Sequence, residues 1–385
     1  MSQKYDVIVA GGGPAGATAA FFLGQAGRKV LVLEKEHLPR YKTCGGAVSA
    51  SVLEQFPFSF EPVIQSRVNA ISYVFGERVF TIPVEGSSLR MVMRDEFDAY
   101  LLSHTRAEIR SRMAVQAVEE NDGTVCVETG NGERIEAEAL IAADGANSIV
   151  ARRLGLRRNK VMAGAIEIEA AVPDATLARF AEHPLFIFGE ISTGYIWIFP
   201  KADHLSIGIG GLNPKPGELQ SALERVLKQF GIPLQRQAWR GHPVPIYWQD
   251  EPLGTRRCLL VGDAAGLVDP FTGEGIRFAI KSGRLAAQAL LAGQPERYTD
   301  WVEDSIGRNH RLGNWMRQTF YRFQKPSFEL ALRNPTVSQG LVDMFADKIG
   351  YGKLLLIIAS TFPRAVVTKK VALEDFVGAP KSRGV

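Results

Sequence analysis

The stretch YDVIVAGGGPAGATAAFFLGQAGRKVLVLE, residues 5–34, decides how the rest of the chain is read. Its opening YDVIVA is a short apolar run of buried-strand character, and it leads without a break into Gly11, Gly12 and Gly13. Small and apolar residues follow at the spacing of a tightly packed helix, and KVLVLE (29–34) then predicts a second strand ending at Glu34. Strand, Gly-rich turn, helix, strand is the order of a mononucleotide-binding half, and it gives Gly11-x-Gly13-x-x-Gly16 the context that this motif needs. The first glycine permits the tight turn. The second lets backbone N–H groups approach a pyrophosphate, and the third lets helix and strand pack closely. Pro14 and Ala15 open the helix, whose N-terminus presents positive potential to phosphates. Glu34, with Lys35 beside it, can accept hydrogen bonds from ribose hydroxyls and would repel a 2′-phosphate. NAD and FAD share this fingerprint, and the motif alone does not choose between them.

The remaining pattern predicts a second layer. Helical spacing appears at 94–107, with Phe97, Leu101 and Leu102 on one face, and strands are expected at 114–118, 124–128 and 139–143. Residues 163–211 are β-rich: AGAIEIEAAV, PLFIFGEI, GYIWIFPK and HLSIGIGG carry β-branched or aromatic residues between turn signals. An amphipathic helix is expected at 218–230, a buried strand at 257–261, and helices at 275–292 and 295–323. Trp301, Leu312, Trp315, Met316, Phe320 and Phe323 would supply the apolar face of the last of these.

Composition narrows the function classes. The 385 residues are 46% hydrophobic and 22% charged, an ordinary globular balance that excludes a disordered or fibrous chain. No apolar run approaches the ~20 residues that span a bilayer, and the N-terminus lacks a signal-peptide pattern. A cytoplasmic protein is expected, with no nucleic-acid partner. Cys44, Cys126 and Cys258 include no CxxC pair, which excludes a disulfide framework and a four-Cys iron–sulfur cluster. The six histidines show no metal-ligand spacing, so no metal is expected. The net charge of +4 is uneven: from Phe278 onward there are 16 Lys/Arg against 9 Asp/Glu, and before it 29 against 32.

Two distal motifs carry a resemblance. In IAADGANS, Asp144-Gly145 ends a strand; in LLVGDAAGLVDPFTGEGI, Gly262-Asp263 ends another, and Pro270, Gly273, Gly275 and Ile276 follow in the loop and the start of a helix. With the GxGxxG this resembles the flavoprotein group typified by p-hydroxybenzoate hydroxylase. The resemblance implies FAD as cofactor, with Asp263 on the ribityl chain and the Gly273–Gly275 backbone near the isoalloxazine. An aspartate at a strand end is also a common helix cap.

PRYKTCGG (39–46), RDEFDAYL (94–101) and GYIWIFPKADHLSIGIG (194–210) narrow it further. They resemble the geranylgeranyl reductase family, whose Tyr-x-Trp-x-Phe-Pro pattern with a following Gly-x-Gly they fit. The resemblance runs from about Tyr5 to Gly283 and implies saturation of C=C bonds in a long isoprenoid chain. That chemistry needs hydride at one carbon, a proton at the other, and a dry apolar site. Tyr195 and Trp197, alternating with Ile196 and Ile198, are expected on one strand face, where they could line an apolar slot or stabilise positive charge; Phe199 is expected on the other. Aromatics at period two are, on pattern alone, more often core packing. The family match places Cys44, in its Cys44-Gly45-Gly46 loop, beside substrate and flavin as a candidate catalytic residue whose thiol could relay a proton or gate the substrate; a free cysteine is otherwise usually a small buried hydrophobe. The same match places Arg40 and Arg94 on FAD.

The expected architecture is α/β overall: a Rossmann-like FAD-binding domain (1–75, 90–160 and 255–292), an interleaved antiparallel β-sheet substrate domain (76–89 and 161–254) and a helical C-terminal region (293–385). The run KLLLIIASTFPRAVVTKK, with Arg364, Lys369 and Lys370, suits either a buried helix with a solvated basic tail or peripheral contact with an anionic membrane. No second GxGxxG follows a strand, so a separate nicotinamide domain is not expected; the reductant is left open between NAD(P)H binding transiently and a small electron carrier. Two other functions fit the same motifs: an FAD-dependent aromatic monooxygenase and a non-catalytic flavin electron-transfer module.

Overall fold

Tyr5–Ala10 is the centre of a seven-stranded sheet in which Val30–Glu34 and Arg134–Ala142 lie parallel to it on either side. These strands read as continuous apolar runs because a parallel sheet is covered on both faces, and Val30–Glu34 is buried throughout. Glu108–Ser111 extends one edge in parallel; Val125–Thr129 and Val115–Glu120 continue the other as antiparallel strands. Cys258–Leu260 pairs parallel with the end of Arg134–Ala142. The computed structural model describes residues 5–84, 86, 88–181, 183–233, 239–361 and 371–372.

The helix Pro14–Gln25 packs on the helix Ile276–Leu291. Small residues make this possible, since a Cβ on Gly283 would stand 2.3 Å from the Ala15 carbonyl oxygen and one on Gly262 would stand 3.1 Å from the Ala15 Cβ. The expected 94–107 helix is Arg94–Ser103, and its Phe97, Leu101 and Leu102 are buried.

The second large sheet has the order Arg240–Ile246, Val161–Ala170, Leu205–Leu212, Gly194–Pro200, Leu185–Phe188, Ala70–Phe75, Arg78–Pro83, Val371–Ala372. It is antiparallel along the central hairpins and parallel where Leu185–Phe188 meets Ala70–Phe75. Register aligns Ile166 and Ile196 with Ile209, and Ile168 and Ile198 with Ile207. These isoleucines face a core with Leu219, Leu223, Val226 and Leu227 of the helix Glu218–Gln229. Each such side chain contributes about 1.5–3 kcal/mol on burial. The opposite face carries Glu167, Glu169, Tyr195, Trp197, Phe199, Ser206 and Gly208. A three-stranded sheet of Ala47–Ser49, Leu89–Val92 and Ile64–Val68 completes the β structure.

Two compact units share the chain: Met1–Lys42, Arg94–Met162 and Val244–Trp315 form one; Thr43–Met93, Ala163–Pro243 and Met316–Val385 form the other. This partition divides the chain differently from the expected domains: 43–75 and 90–93 fall in the second unit, 161–162 and 244–254 in the first, and 293–385 is split between the two after Trp315. Residues 43–75 fall in the second unit, because Ala70–Phe75 pairs with Arg78–Pro83 and Leu185–Phe188. Residues 293–315 fall in the first, where the Tyr298 hydroxyl donates to the Leu260 carbonyl at 2.7 Å.

The expected 295–323 helix is broken into a 3-10 turn at Pro295–Arg297, a short helix Tyr298–Val302, a wide π turn at Glu303–Gly307 and the helix Arg308–Arg322. A Cβ on Gly307 would collide with Glu303 and stand 2.8 Å from the Tyr247 hydroxyl, so the turn packs against a glycine. The apolar face expected there is corrected: Met316 is buried, but Leu312, Trp315 and Phe323 are exposed. The helix instead buries His310 and Arg317. No described helix is long and apolar enough to cross a membrane.

Candidate active site

In the first unit the glycines are required by contact as well as by conformation. Gly11 has φ +105°, and a Cβ there would stand 2.3 Å from the Ala143 carbonyl oxygen; one on Gly16 would stand 2.0 Å from the Gly11 oxygen. Gly13 is the extended N-cap residue and contributes no side-chain cap, with Pro14 and Ala15 following it into the first turn. The turn therefore offers backbone donors without a side chain over them, as a pyrophosphate requires.

Glu34 is buried, and its carboxylate accepts the Gly12 N–H at 2.8 Å and the Glu36 N–H at 3.0 Å. It holds the glycine turn as well as facing it. Lys35 is exposed. Arg40 reaches the same place, with Nε 3.6 Å from Glu34 Oε1 and Nη2 3.2 Å from Asp98 Oδ2. Asp98 is fully buried and also receives Arg94 through Nε and Nη2, both at 2.8 Å. Arg40 Nη1 is buried without a hydrogen-bond partner among the described residues. An unpartnered guanidinium donor beside a glycine turn fits an anionic or polyol ligand.

The distal motifs lie on the same unit. Asp144 Oδ2 accepts the Ile149 and Val150 N–H groups at 2.7 and 3.2 Å, while Oδ1 is buried without a partner among the described residues. Gly145 has φ +81° and open space where a Cβ would project. Lys160 donates to the Ala146 carbonyl, and burial lowers its pKa. Gly262-Asp263 opens a 3-10 turn, and Asp263 Oδ1 is 3.7 Å from where a Cβ on Gly275 would stand. In the loop around Pro270, Asp269 Oδ1 accepts the Phe271 and Thr272 N–H groups, both at 2.9 Å. Gly273 has φ +72°, and Gly275 caps the helix that Ile276 begins. Beneath the loop, His310 is fully buried: Nε2 donates to the Leu267 carbonyl at 3.1 Å, and Nδ1 is 3.7 Å from Asp269 Oδ2. Burial holds its pKa down. The glycine turn and the unpartnered Arg40 Nη1 beside it fit a dinucleotide on this unit.

In the second unit Tyr195, Trp197 and Phe199 form one row of rings, with centroids 6.4 Å apart at each step. The expectation that Phe199 faces the other side is corrected, since period-two alternation keeps residues 195, 197 and 199 together and sends Ile196 and Ile198 to the core. Phe186 touches both Tyr195 and Phe199, and Phe188 touches Tyr195. The Trp197 indole lies over Gly208. Its Nε1 is buried without a partner among the described residues and is 2.9 Å from where a Cβ on Gly45 would stand.

The Cys44-Gly45-Gly46 loop thus lies on the aromatic row within one unit. The Cys44 N–H donates to Glu167 Oε1 at 2.8 Å, and Cys44 Sγ accepts the Gly46 N–H at 3.4 Å. Gly46 has φ +72° and leaves no room for a side chain against the Val92 carbonyl. Lys201 Nζ donates to the Gly45 and Val92 carbonyls at 2.7 and 2.9 Å. Burial lowers its pKa, against the opposing pull of Glu169, Cys44 and Glu167. Glu169 meets His204 Nε2 at 3.1 Å, and that contact raises the His204 pKa.

Asp98, Glu167, Lys201 and His310 were not singled out by sequence. Asp98 carries a usable signal, because Arg94 and Asp98 are i,i+4 on a helix. Glu167 and Glu169 alternate with isoleucines, which reads as a solvated strand face. Lys201 directly follows a strand, which reads as surface.

Residues 5–184 match the family model described as pyridine nucleotide-disulphide oxidoreductase. The chain is 31% identical over 380 residues to the chloroplastic geranylgeranyl diphosphate reductase of Oryza sativa subsp. japonica, covering 90% of this chain and 79% of that protein. It is 27% identical to the digeranylgeranylglycerophospholipid reductase of Methanocaldococcus jannaschii, covering 97% of each. The fold superposes with TM-score 0.76 at 25% identity on a geranylgeranyl bacteriochlorophyll reductase-like structure from Thermoplasma acidophilum, covering 95% of this chain and 98% of that one. With the dinucleotide cradle on one unit and the aromatic row on the other, these similarities identify the chain as a member of the geranylgeranyl reductase family of FAD-dependent oxidoreductases.

Proposed function

We propose that this enzyme uses FAD to saturate C=C double bonds of a long isoprenoid chain carried on a lipid or small-molecule head group. The observation that carries the reading is the aromatic row Tyr195–Trp197–Phe199, broadened by Phe186 and Phe188 and bordered by the Cys44 loop. Such a row offers apolar surface and π faces to an alkene, and it excludes water from a carbon that acquires positive character.

In this reading the first unit binds the dinucleotide. The Gly11-Gly13-Gly16 turn takes the pyrophosphate, Glu34 a ribose, Arg40 a phosphate or adjacent hydroxyl, and Asp263 the ribityl chain. Arg94 acts on Arg40 through Asp98. The reduced flavin supplies hydride to one alkene carbon. Cys44 supplies the proton to the other, and Tyr195 and Trp197 orient the chain. Anaerobic turnover of the dithionite-reduced holoenzyme with geranylgeranyl diphosphate and with a prenyl-lipid extract tests this. A mass gain of two hydrogens per double bond is expected. A hydroxylated aromatic product formed only in air would overturn it in favour of a monooxygenase.

The exposed Leu356, on the helix Tyr351–Thr361, supports a further proposal of peripheral contact with lipid. Arg364, Lys369 and Lys370 lie outside the described residues. Liposome flotation with and without residues 350–385 tests it, and equal recovery in the soluble fraction removes it.

A further inference from the structure

We propose that Glu167 and Lys201 are positioning residues for Cys44, two buried polar side chains, one accepting and one donating, that grip the main chain on either side of its sulfur. This rests on the reading of Cys44 as proton donor. Glu167 accepts the Cys44 N–H, and Lys201 donates to the next carbonyl, that of Gly45. The loop is then sewn to Val92 twice, since Lys201 also holds the Val92 carbonyl and the Val92 N–H donates to the Gly46 carbonyl at 2.9 Å. Glu167 is fully buried and Lys201 is 3% exposed.

Buried ionisable side chains are weak contributors to stability compared with apolar side chains of similar size, so stability alone does not account for them. What they secure is geometry. The Cys44 sulfur is directed by the Gly46 N–H, and Gly46 packs against the Val92 carbonyl with no room for a side chain. When Cys44 gives its proton to an alkene carbon, the S–H bond breaks, a C–H bond forms, and the sulfur keeps the electron pair as thiolate. Hydride from the reduced cofactor forms the second C–H bond, so the cofactor loses two electrons and the alkene gains them. The Gly46 N–H is the donor that faces the thiolate. A solvent proton then restores the thiol.

Cys126 and Cys258 are buried, so iodoacetamide on the oxidised holoenzyme, read by peptide mass, reports on Cys44. Lys201→Met is expected to raise the rate of this alkylation at least about threefold and to lower kcat with KM within about twofold, because it frees the Gly45 and Val92 carbonyls that hold the loop. Lys201→Gln keeps a donor for a carbonyl, serves where the apolar variant does not fold, and should lie between Lys201→Met and the parent in both readouts. Glu167→Gln, which retains an acceptor for the Cys44 N–H, should keep more of kcat than Glu167→Ala. Parental alkylation and kcat in Lys201→Met, or in Lys201→Gln where the former does not fold, would overturn the proposal. If the parent saturates no prenyl alkene but the Lys201 variant still changes alkylation, the proposed function fails while the link between Lys201 and Cys44 stands.

Discussion

The indole of Trp197 lies against Gly208 so closely that a methyl group there would stand 2.1 Å from Cζ2. The contact spans neighbouring strands, since Trp197 and Gly208 are register partners. Gly208→Ala must therefore displace the ring that borders Gly45. The expected outcome is an enzyme that retains its flavin, because the glycine turn lies on the other unit, but loses at least about tenfold in kcat through misplacement of the ring. Flavin absorbance and steady-state turnover measured together check this. Unchanged turnover would remove Trp197 from the substrate site.

Asp98 is buried between two guanidinium groups and is the anion that keeps them together. Asp98→Asn leaves Arg40 and Arg94 facing one another without it. A loss of about 3–5 kcal/mol of stability is expected, the usual cost of removing one partner from a buried ionic cluster. Weaker flavin retention should accompany it. Thermal unfolding and the flavin-to-protein absorbance ratio after gel filtration measure both effects.

Gly16 makes the tightest backbone approach in the nucleotide-binding turn. In Gly16→Ala the added methyl must push the Pro14–Gln25 helix away from Gly11, which enlarges the turn. The variant is expected to purify without flavin and to remain without it when excess FAD is added. Reconstitution to parental absorbance would refute the assignment of this turn.

His204 has its pKa raised chiefly by Glu169, so the folded state binds its proton more tightly than the unfolded state does. The stabilisation is complete below the unfolded pKa of about 6.5 and is lost as pH rises through the folded value above it. His204→Gln should therefore show its largest Tm deficit, about 2 °C, near pH 6 and none by pH 9. A deficit that instead grew toward alkaline pH would contradict the sign.

The parts of the molecule that repeat a local rule were legible in the chain. The order of strand, glycine turn and helix at residues 5–34 specified the cofactor layer, and the alternation of Tyr195 and Trp197 with Ile196 and Ile198 separated the two faces of a strand in the second sheet. The 43–75 segment was not legible, because its placement depends on Ala70–Phe75 pairing with a strand more than a hundred residues away. Glu167 and Lys201 were hidden for a related reason. A charged residue on a strand face is ordinarily solvated, and only the loop at Cys44 folding over that face buries it. Leu312, Trp315 and Phe323 misled in the opposite direction, as apolar residues at helical spacing that stay exposed.

The pairing of Cys258–Leu260 with Leu140–Ala142 has a consequence for how the molecule is made. The nucleotide-binding sheet is begun by residue 5 and cannot be finished until residue 260 has been synthesised. Through most of translation the far edge of Arg134–Ala142 lacks this last parallel neighbour, and the second unit's strands at 163–212 emerge before it arrives. Sheet closure over such long loops is slow, and an open apolar edge invites wrong pairings in the interval. Full-length chains should consequently depend more on chaperones and low growth temperature than their size suggests. A truncation ending shortly before Cys258 should accumulate as aggregate even though every glycine of its nucleotide-binding turn is present.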